Sequence, residues 1–255
     1  MLPILEVKNL IVSIGSKTLV KEINFCLHKG ETLALAGASG SGKSTIAHAI
    51  LQLNPSEMKA SGEILLQNEN LLRLPERDMQ HVRGRKIGIV FQNPMTCLNP
   101  TMKIGKQIVE GLIYHEKISG KEARERAIEF LDLVKITNPK VRVDQYPHEL
   151  SGGMRQRVMI AMATACRPEI VIADEATSSL DRVTQTQIIE LLKEIQNKTG
   201  VSLLLITHDL RLVSRSCDRV LIMQQGEIVE SGFTKQIFES PTHTYTKALM
   251  EACYA

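Results

Sequence analysis

The spacing of apolar positions changes character twice along the chain. Leu5–Leu10 and Leu19–Leu27 hold alternating or clustered apolar residues, which predicts extended segments, with a turn at Lys29-Gly30-Glu31. Thr32–Ala36 is short and nearly all apolar, as expected of a strand covered on both faces. A glycine-rich loop follows, and Ser44–Leu53 then has helical composition. Gly62–Leu66 and Ile87–Val90 predict further strands. From about Asn93 to Leu150 the strand signal disappears. Lys121–Lys135 sets Ala127, Phe130, Leu131 and Val134 at helical spacing among charges, and Ile104–Tyr114 is a weaker stretch of the same kind. Beyond that block, strand and helix alternate through Ile170–Ala173, Val183–Lys198, Val201–Thr207, Asp209–Ser216 and Val220–Met223. Gln225-Gly226 predicts a hairpin turn into Glu227–Glu230, and Pro241 precedes a terminal helix over Tyr245–Cys253.

This order predicts an α/β protein with a mainly parallel core sheet and right-handed crossovers. The strandless block is read as a helical subdomain, residues 93–165, inserted within a single domain spanning 1–255. Composition adds limits rather than detail. With 255 residues, 43% hydrophobic and 23% charged, the balance is that of an ordinary globular chain. Net charge is only +3, and Lys and Arg are dispersed, so charge points to no nucleic-acid partner. The start, Met1-Leu-Pro-Ile-Leu-Glu-Val, lacks the basic and long apolar regions of a signal peptide. The apolar runs are too short to cross a bilayer, so service to a membrane would be by docking. Cys26, Cys97, Cys166, Cys217 and Cys253 show no paired spacing, which predicts reduced thiols.

Chemistry enters at Gly37-Ala-Ser39-Gly40-Ser41-Gly42-Lys43-Ser44-Thr45, which fits GxxxxGK[ST] between a predicted strand and a predicted helix. Glycines let successive N–H groups converge on phosphates, and the helix N-terminus adds partial positive charge. Lys43 is expected to reach the β- and γ-phosphates and the Ser44 hydroxyl to bind Mg²⁺. Glu169-Ile-Val-Ile-Ala-Asp174-Glu175 is the complementary element, a buried strand delivering two carboxylates at its C-terminal end. Asp174 is expected to serve Mg²⁺, and Glu175 to polarise the attacking water as a general base. Leu150-Ser151-Gly152-Gly153-Met154-Arg155-Gln156 lies shortly before that strand. Ser151 can cap a helix whose first turn carries two glycines, leaving N–H groups open to an anion. An isolated Ser-Gly-Gly is more often a flexible loop; its position here raises the functional reading.

In these motifs the sequence resembles the ATP-binding cassette (ABC) family over nearly its whole length. Gly37–Ser44 is similar to the family's Walker A motif, Ile170–Glu175 to Walker B and Leu150–Gln156 to the signature motif. Gln92 resembles the Q-loop glutamine, Ser179-Leu180-Asp181 the D-loop and His208 the switch histidine. The resemblance implies a P-loop NTPase fold with a RecA-like core, an N-terminal antiparallel β region and the inserted helical subdomain. It implies ATP and Mg²⁺ as ligands and two cassettes paired head to tail. Ser151, Gly152 and Gly153 would then act in trans on the partner's γ-phosphate, with Asp181 at the seam. His208 would contact the γ-phosphate, and Gln92 would sense nucleotide and Mg²⁺.

One departure concerns adenine. The family usually offers the base an aromatic ring from the N-terminal strands, but the nearest counterpart here is Ile14, and no aromatic precedes Phe25. The expectation is an apolar seat without ring stacking. Val90–Pro100 and Ser240-Pro-Thr-His-Thr-Tyr245-Thr-Lys-Ala-Leu249 resemble the peptide and nickel importer branch. The short form and solitary Cys253 look more like its nickel or metal-chelate members. Membership implies a peripheral subunit at the cytoplasmic face of a bacterial or archaeal inner (plasma) membrane. Its partners would be a second cassette, with a heterodimer favoured, two membrane permeases and, indirectly, an extracytoplasmic binding protein. The rival class is a non-transport ABC ATPase acting on nucleic acid or ribosomes. Against it, no coiled coil interrupts the chain and it carries one cassette.

Overall fold

The structure is a computed structural model that describes residues 3–178 and 180–254. Ser179 of the D-loop segment lies outside the described residues, as do Met1 and Leu2 of the N-terminal reading. The chain divides into two compact units, Met1–Gln80 with Ser202–Ala255, and His81–Val201.

The first unit opens with β1 (Pro3–Ile14), β2 (Lys17–His28), β3 (Thr32–Ala36), α1 (Lys43–Ile50), β4 (Met58–Leu66) and β5 (Glu69–Asn70). Helix α2 (Glu76–Val82) carries the chain out of it. Strands β2-β1-β4-β5 form an antiparallel sheet, the N-terminal region implied by the family resemblance. Strand β1 extends to Ile14, past the expected Leu10. Its register against β4 slips between Lys8 and Ile11, where Asn9 takes a φ of 48°, and pairing resumes beyond this bulge. A bulge interrupts the apolar alternation without ending the strand, so the pattern stops early.

The second unit begins with β6 (Ile87–Val90) and continues through α3 (Pro94–Cys97), α4 (Ile104–Glu116), α5 (Gly120–Leu133), α6 (Pro139–Arg142) and α7 (Gly152–Thr164). Then come β7 (Ile170–Asp174) and α8 (Arg182–Thr199). Among the described residues between β6 and β7, all regular structure is helical. The Ser119 hydroxyl accepts the Glu122 N–H at 3.2 Å and fixes the start of α5. Helices α4, α5 and α7 pack on one another, burying Ile108, Leu112, Ala127, Leu131 and Val158. Gly200, in the left-handed conformation, closes α8 by donating its N–H to the Gln196 carbonyl.

The first unit resumes with β8 (Ser202–Thr207), α9 (Leu210–Ser216), β9 (Arg219–Gln224), β10 (Glu227–Phe233), α10 (Thr234–Glu239) and α11 (Thr244–Tyr254). Strand β3 pairs in parallel with β8, from Thr32↔Leu203 to Ala36↔Thr207, and with β9, from Leu33↔Arg219 to Ala36↔Ile222. The expected hairpin joins β9 to β10, with Gln225 and Gly226 both at positive φ, the geometry that suits the twist of paired strands. Ala34, Ala36, Val220 and Ile222 of these strands form a core with Leu210 and Val213 of α9, Ile237 of α10 and Met250 of α11. Burying each large aliphatic chain contributes on the order of 1.5–3 kcal/mol.

In each unit the parallel register has one positional consequence. Ala36↔Thr207 brings the loop after β3 beside His208 in the first unit. In the second, β6 and β7 run parallel from Ile87↔Ile170 to Val90↔Ala173, so Gln92 follows one strand end and Asp174-Glu175 the other. Loops at the carboxyl ends of parallel strands are where such sheets place ligands. The five cysteines are free; Cys166 is buried, and burial, with the Glu116 charge, pushes its thiol up to about 11.

Candidate active site

The loop after β3 is held from several sides within its own unit. A β-carbon on Gly37 would stand 2.2 Å from the Met223 carbonyl oxygen, so only glycine lets the chain leave the strand here. The Gly226 N–H donates to the Ser41 carbonyl at 3.0 Å. Gly42, at φ 105°, is the N-cap of α1 and supplies no side-chain cap. The first turn of α1 carries no acidic residue, which leaves its N-terminal field open to an anion. Ala38, Ser39 and Gly40 are exposed, whereas Ser41 and Lys43 are buried. The Lys43 ammonium donates to the Gly37 and Ala38 carbonyls, both at 2.9 Å. The Ser41 hydroxyl is buried with no hydrogen-bond partner among the described residues. A buried cation donating to two loop carbonyls, a buried hydroxyl and an uncapped helix start together suit phosphate oxygens. Ser44 and Thr45 are half-buried on the first turn of α1, and His208 is exposed just beyond β8.

Ile14 is 37% exposed at the end of β1. The second strand of its hairpin passes the loop closely, since a β-carbon on Gly42 would lie 3.0 Å from the Leu19 carbonyl oxygen.

The second unit carries the acidic residues. Asp174 is buried at the end of β7, and Glu175 follows at φ 45°. A left-handed glutamate is uncommon and costs backbone energy, a pattern that clusters at working sites. Its carbonyl is tied by the Ser178 N–H at 3.0 Å and the Ser178 hydroxyl at 3.1 Å. Gln92 Nε2 donates to Glu175 Oε2 at 3.1 Å, so two residues 83 apart in sequence meet.

The capped helix start expected at Ser151 is present. The Ser151 hydroxyl accepts the Met154 N–H at 3.3 Å and caps α7. Gly153 lies 3.2 Å, measured from a notional β-carbon, from the Thr184 methyl, whereas a β-carbon on Gly152 would meet nothing within 4 Å among the described residues. The Arg155 guanidinium contacts the Met95 sulfur, linking this helix to the segment after Gln92. Asp181 caps α8, accepting from the Val183 and Thr184 N–H groups and from the Thr184 hydroxyl at 2.6 Å. The Thr184 hydroxyl, followed by the backbone donors, holds the Asp181 carboxyl below its usual range.

One contact has no counterpart in the motif pattern. The Tyr245 hydroxyl on α11 accepts the Ala38 N–H at 3.1 Å. Only the Ser240–Leu249 segment hinted that this region mattered, and nothing in it named the phosphate loop.

A family model described as ABC transporter matches residues 20–178. The chain belongs to the ABC transporter family. This cassette is 51% identical over 253 residues to the oligopeptide transport ATP-binding protein OppD of Bacillus subtilis, covering 97% of the chain and 71% of that protein. It is 48% identical to the dipeptide transport ATP-binding protein DppD of the same organism, covering 97% and 76%. Among solved structures it resembles cbiO1 of Clostridium perfringens, part of the transporter complex cbiONQ (TM-score 0.81, 31% identity, covering 93% of this chain and 91% of that one). It also resembles a dimeric ATP-binding cassette bound to ADP and phosphate (TM-score 0.79, 30% identity, 90% and 98% covered). The cassette is therefore an ABC-type ATPase, with the α/β class and antiparallel N-terminal sheet expected of it. Among its described residues no helix is long and apolar enough to cross a membrane.

Proposed function

We propose that the chain is the ATP-hydrolysing subunit of a peptide importer, with the Gly37–Thr45 loop as its phosphate cradle. The observation that carries this reading is the loop itself: Lys43 buried on two carbonyls, Ser41 Oγ without a partner among the described residues, and the uncapped start of α1. Lys43 and the loop N–H groups bind the phosphates, and Ile14 offers adenine an apolar surface in place of an aromatic ring. Glu175 is the general base, and its backbone ties hold it at the end of β7 while Gln92 engages its carboxylate. His208 contacts the γ-phosphate. Ser44, Asp174 and Gln92 are a set of hard oxygen donors suited to Mg²⁺. That ion, when bound, neutralises charge on the β- and γ-phosphates.

Ser151, Gly152 and Gly153 are assigned to the nucleotide of a second cassette. The open space at Gly152 supports this, because no contact among the described residues requires a glycine there. Asp181 is assigned to the cassette–cassette seam, and residues 93–165 to the helical subdomain of a single domain spanning 1–255.

The named relatives favour transport over action on nucleic acid or ribosomes, and peptides over the nickel or metal chelates suggested by chain length. On this reading the partners are a second, different cassette and two permeases at the cytoplasmic face of the membrane, with an extracytoplasmic binding protein delivering substrate.

The test is Glu175→Gln in the complex reconstituted with its permeases. ATP binding should persist, while phosphate release and labelled-peptide uptake fall about 10²- to 10⁴-fold, the usual worth of a general base. Wild-type turnover in that variant would remove Glu175 from the role. Uptake of nickel but not peptide by the unmodified complex would overturn the substrate class.

A further inference from the structure

The Ser240–Leu249 segment, marked in the sequence as a branch motif, has no task in the reading above. Its geometry supplies one. The Glu230 carboxylate on β10 accepts the Thr242 N–H at 2.7 Å, the Thr242 hydroxyl at 2.8 Å and the His243 N–H at 3.1 Å. These contacts pin the turn that leads into α11. His243 Nδ1 then accepts the Tyr245 N–H at 3.2 Å and starts the helix. The Tyr245 ring packs against the core of Ala36, Leu210, Val213 and Met250. Its hydroxyl emerges at the phosphate loop and accepts the Ala38 N–H at 3.1 Å. Lys43 Nζ meanwhile donates to the carbonyl of the same residue at 2.9 Å. Ala38 is thus held by its N–H from α11 and by its C=O from α1.

We propose that Tyr245 is a positioning residue for nucleotide binding: its hydroxyl fixes the first shoulder of the Gly37–Thr45 loop and couples the terminal helix to the state of that loop. The coupling rests on the reading of this loop as the ATP cradle. Ala38, Ser39 and Gly40 are exposed, so this shoulder of the loop depends on the hydrogen bonds made by Ala38 itself, from Tyr245, Lys43 and Ser41. When Lys43 turns to phosphate oxygens, the Ala38 carbonyl retains the Ser41 N–H at 3.3 Å, a contact within the loop, and Tyr245 remains as that residue's support from outside it. A loop already shaped for its ligand loses less conformational freedom on binding, and affinity rises accordingly. The effect must also run in reverse. Whatever α11 contributes to ATP affinity, ATP returns to α11 as stability.

The experiment uses the full chain and Tyr245→Phe, which keeps the ring in the core and deletes only the hydroxyl. Titration with ATP and Mg²⁺ should give a Kd raised roughly two- to tenfold, the range of one neutral hydrogen bond. KM for ATP should follow, with kcat unchanged and the nucleotide-free thermal midpoint lowered by no more than one exposed hydrogen bond accounts for, a split that loss of core packing would not give. In the unsubstituted chain, ATP should slow hydrogen exchange of the α11 amides, and the slowing should be lost in the variant. An unchanged Kd in Tyr245→Phe, or no slowing over α11 in the unsubstituted chain, overturns the proposal. Failure of the unsubstituted chain to bind ATP would instead overturn the reading of the loop.

Discussion

Glu230→Gln tests how strongly the turn before α11 is clamped. Glu230 is 8% exposed, and its carboxylate holds the two N–H groups and one hydroxyl of Thr242 and His243. Burial pushes its carboxyl up, but the adjacent Thr246 hydroxyl and the donors of Thr242 and His243 outweigh that and bring it from 4.5 to about 2. At roughly 1.4 kcal/mol per pH unit, a carboxyl so placed contributes about 3 kcal/mol to folding at neutral pH. The folded value lies below the unfolded one. The contribution is therefore complete above pH 4.5 and is lost as pH falls toward 2. Glutamine keeps one acceptor oxygen but no charge, so Glu230→Gln should cost about 1–3 kcal/mol at pH 7. Urea unfolding of both proteins from pH 7 down to 3.5 reads the difference directly. The gap between them should narrow below pH 4.5, because only the unsubstituted chain has that charge to lose. A gap of constant size across the range would refute the electrostatic argument, and no gap at pH 7 would refute the clamp itself.

Two further substitutions separate base from phosphate recognition. Lys43→Ala should weaken ATP binding roughly ten- to a hundredfold by removing charge-assisted contacts. Ile14→Ala should weaken ATP, ADP and AMP by the same few-fold factor, and fluorescence titration with the three nucleotides distinguishes the patterns. Gly37→Ala and Gly152→Ala form a second contrast. The first forces a β-carbon against the Met223 carbonyl and should lower stability by about 1–3 kcal/mol. The second meets open space and should leave the thermal midpoint of the isolated chain at least as high, yet impair ATP-dependent pairing on size-exclusion chromatography.

What the sequence made legible was whatever depends on local pattern. Thr32–Ala36 and Ile170–Ala173 are buried apolar runs, and both appear as strands within a residue of their expected limits. Helices α4 and α5 follow their spacing, and the Ser151 cap and the Gln225-Gly226 hairpin follow their turn chemistry. Short helices escaped notice: Glu76–Val82 and Thr234–Glu239 are too brief to establish a period. Contacts between distant residues were also beyond reach. Gln92 with Glu175, and Ala38 with Tyr245, are separated by 83 and 207 positions. Such pairs are set by strand register and helix docking, which no local spacing encodes. The motifs thus name candidate groups, and the fold adds contacts, Gln92 with Glu175 and Tyr245 with Ala38, that orient them.

If the Gly37–Thr45 loop cradles phosphate as proposed, its lysine shows how affinity and readiness trade against each other. With its ammonium already satisfied by the Gly37 and Ala38 carbonyls, the resting loop need not collapse around a stray charge or recruit a solute anion to neutralise it. An arriving phosphate must compete with those oxygens, so what it gains is a difference between two ways of solvating one cation. Binding at this position is an exchange, and an exchange returns less free energy than a contact made from nothing, which eases its reversal. A protein that must discharge its nucleotide in every cycle is served by a lysine that has somewhere to return.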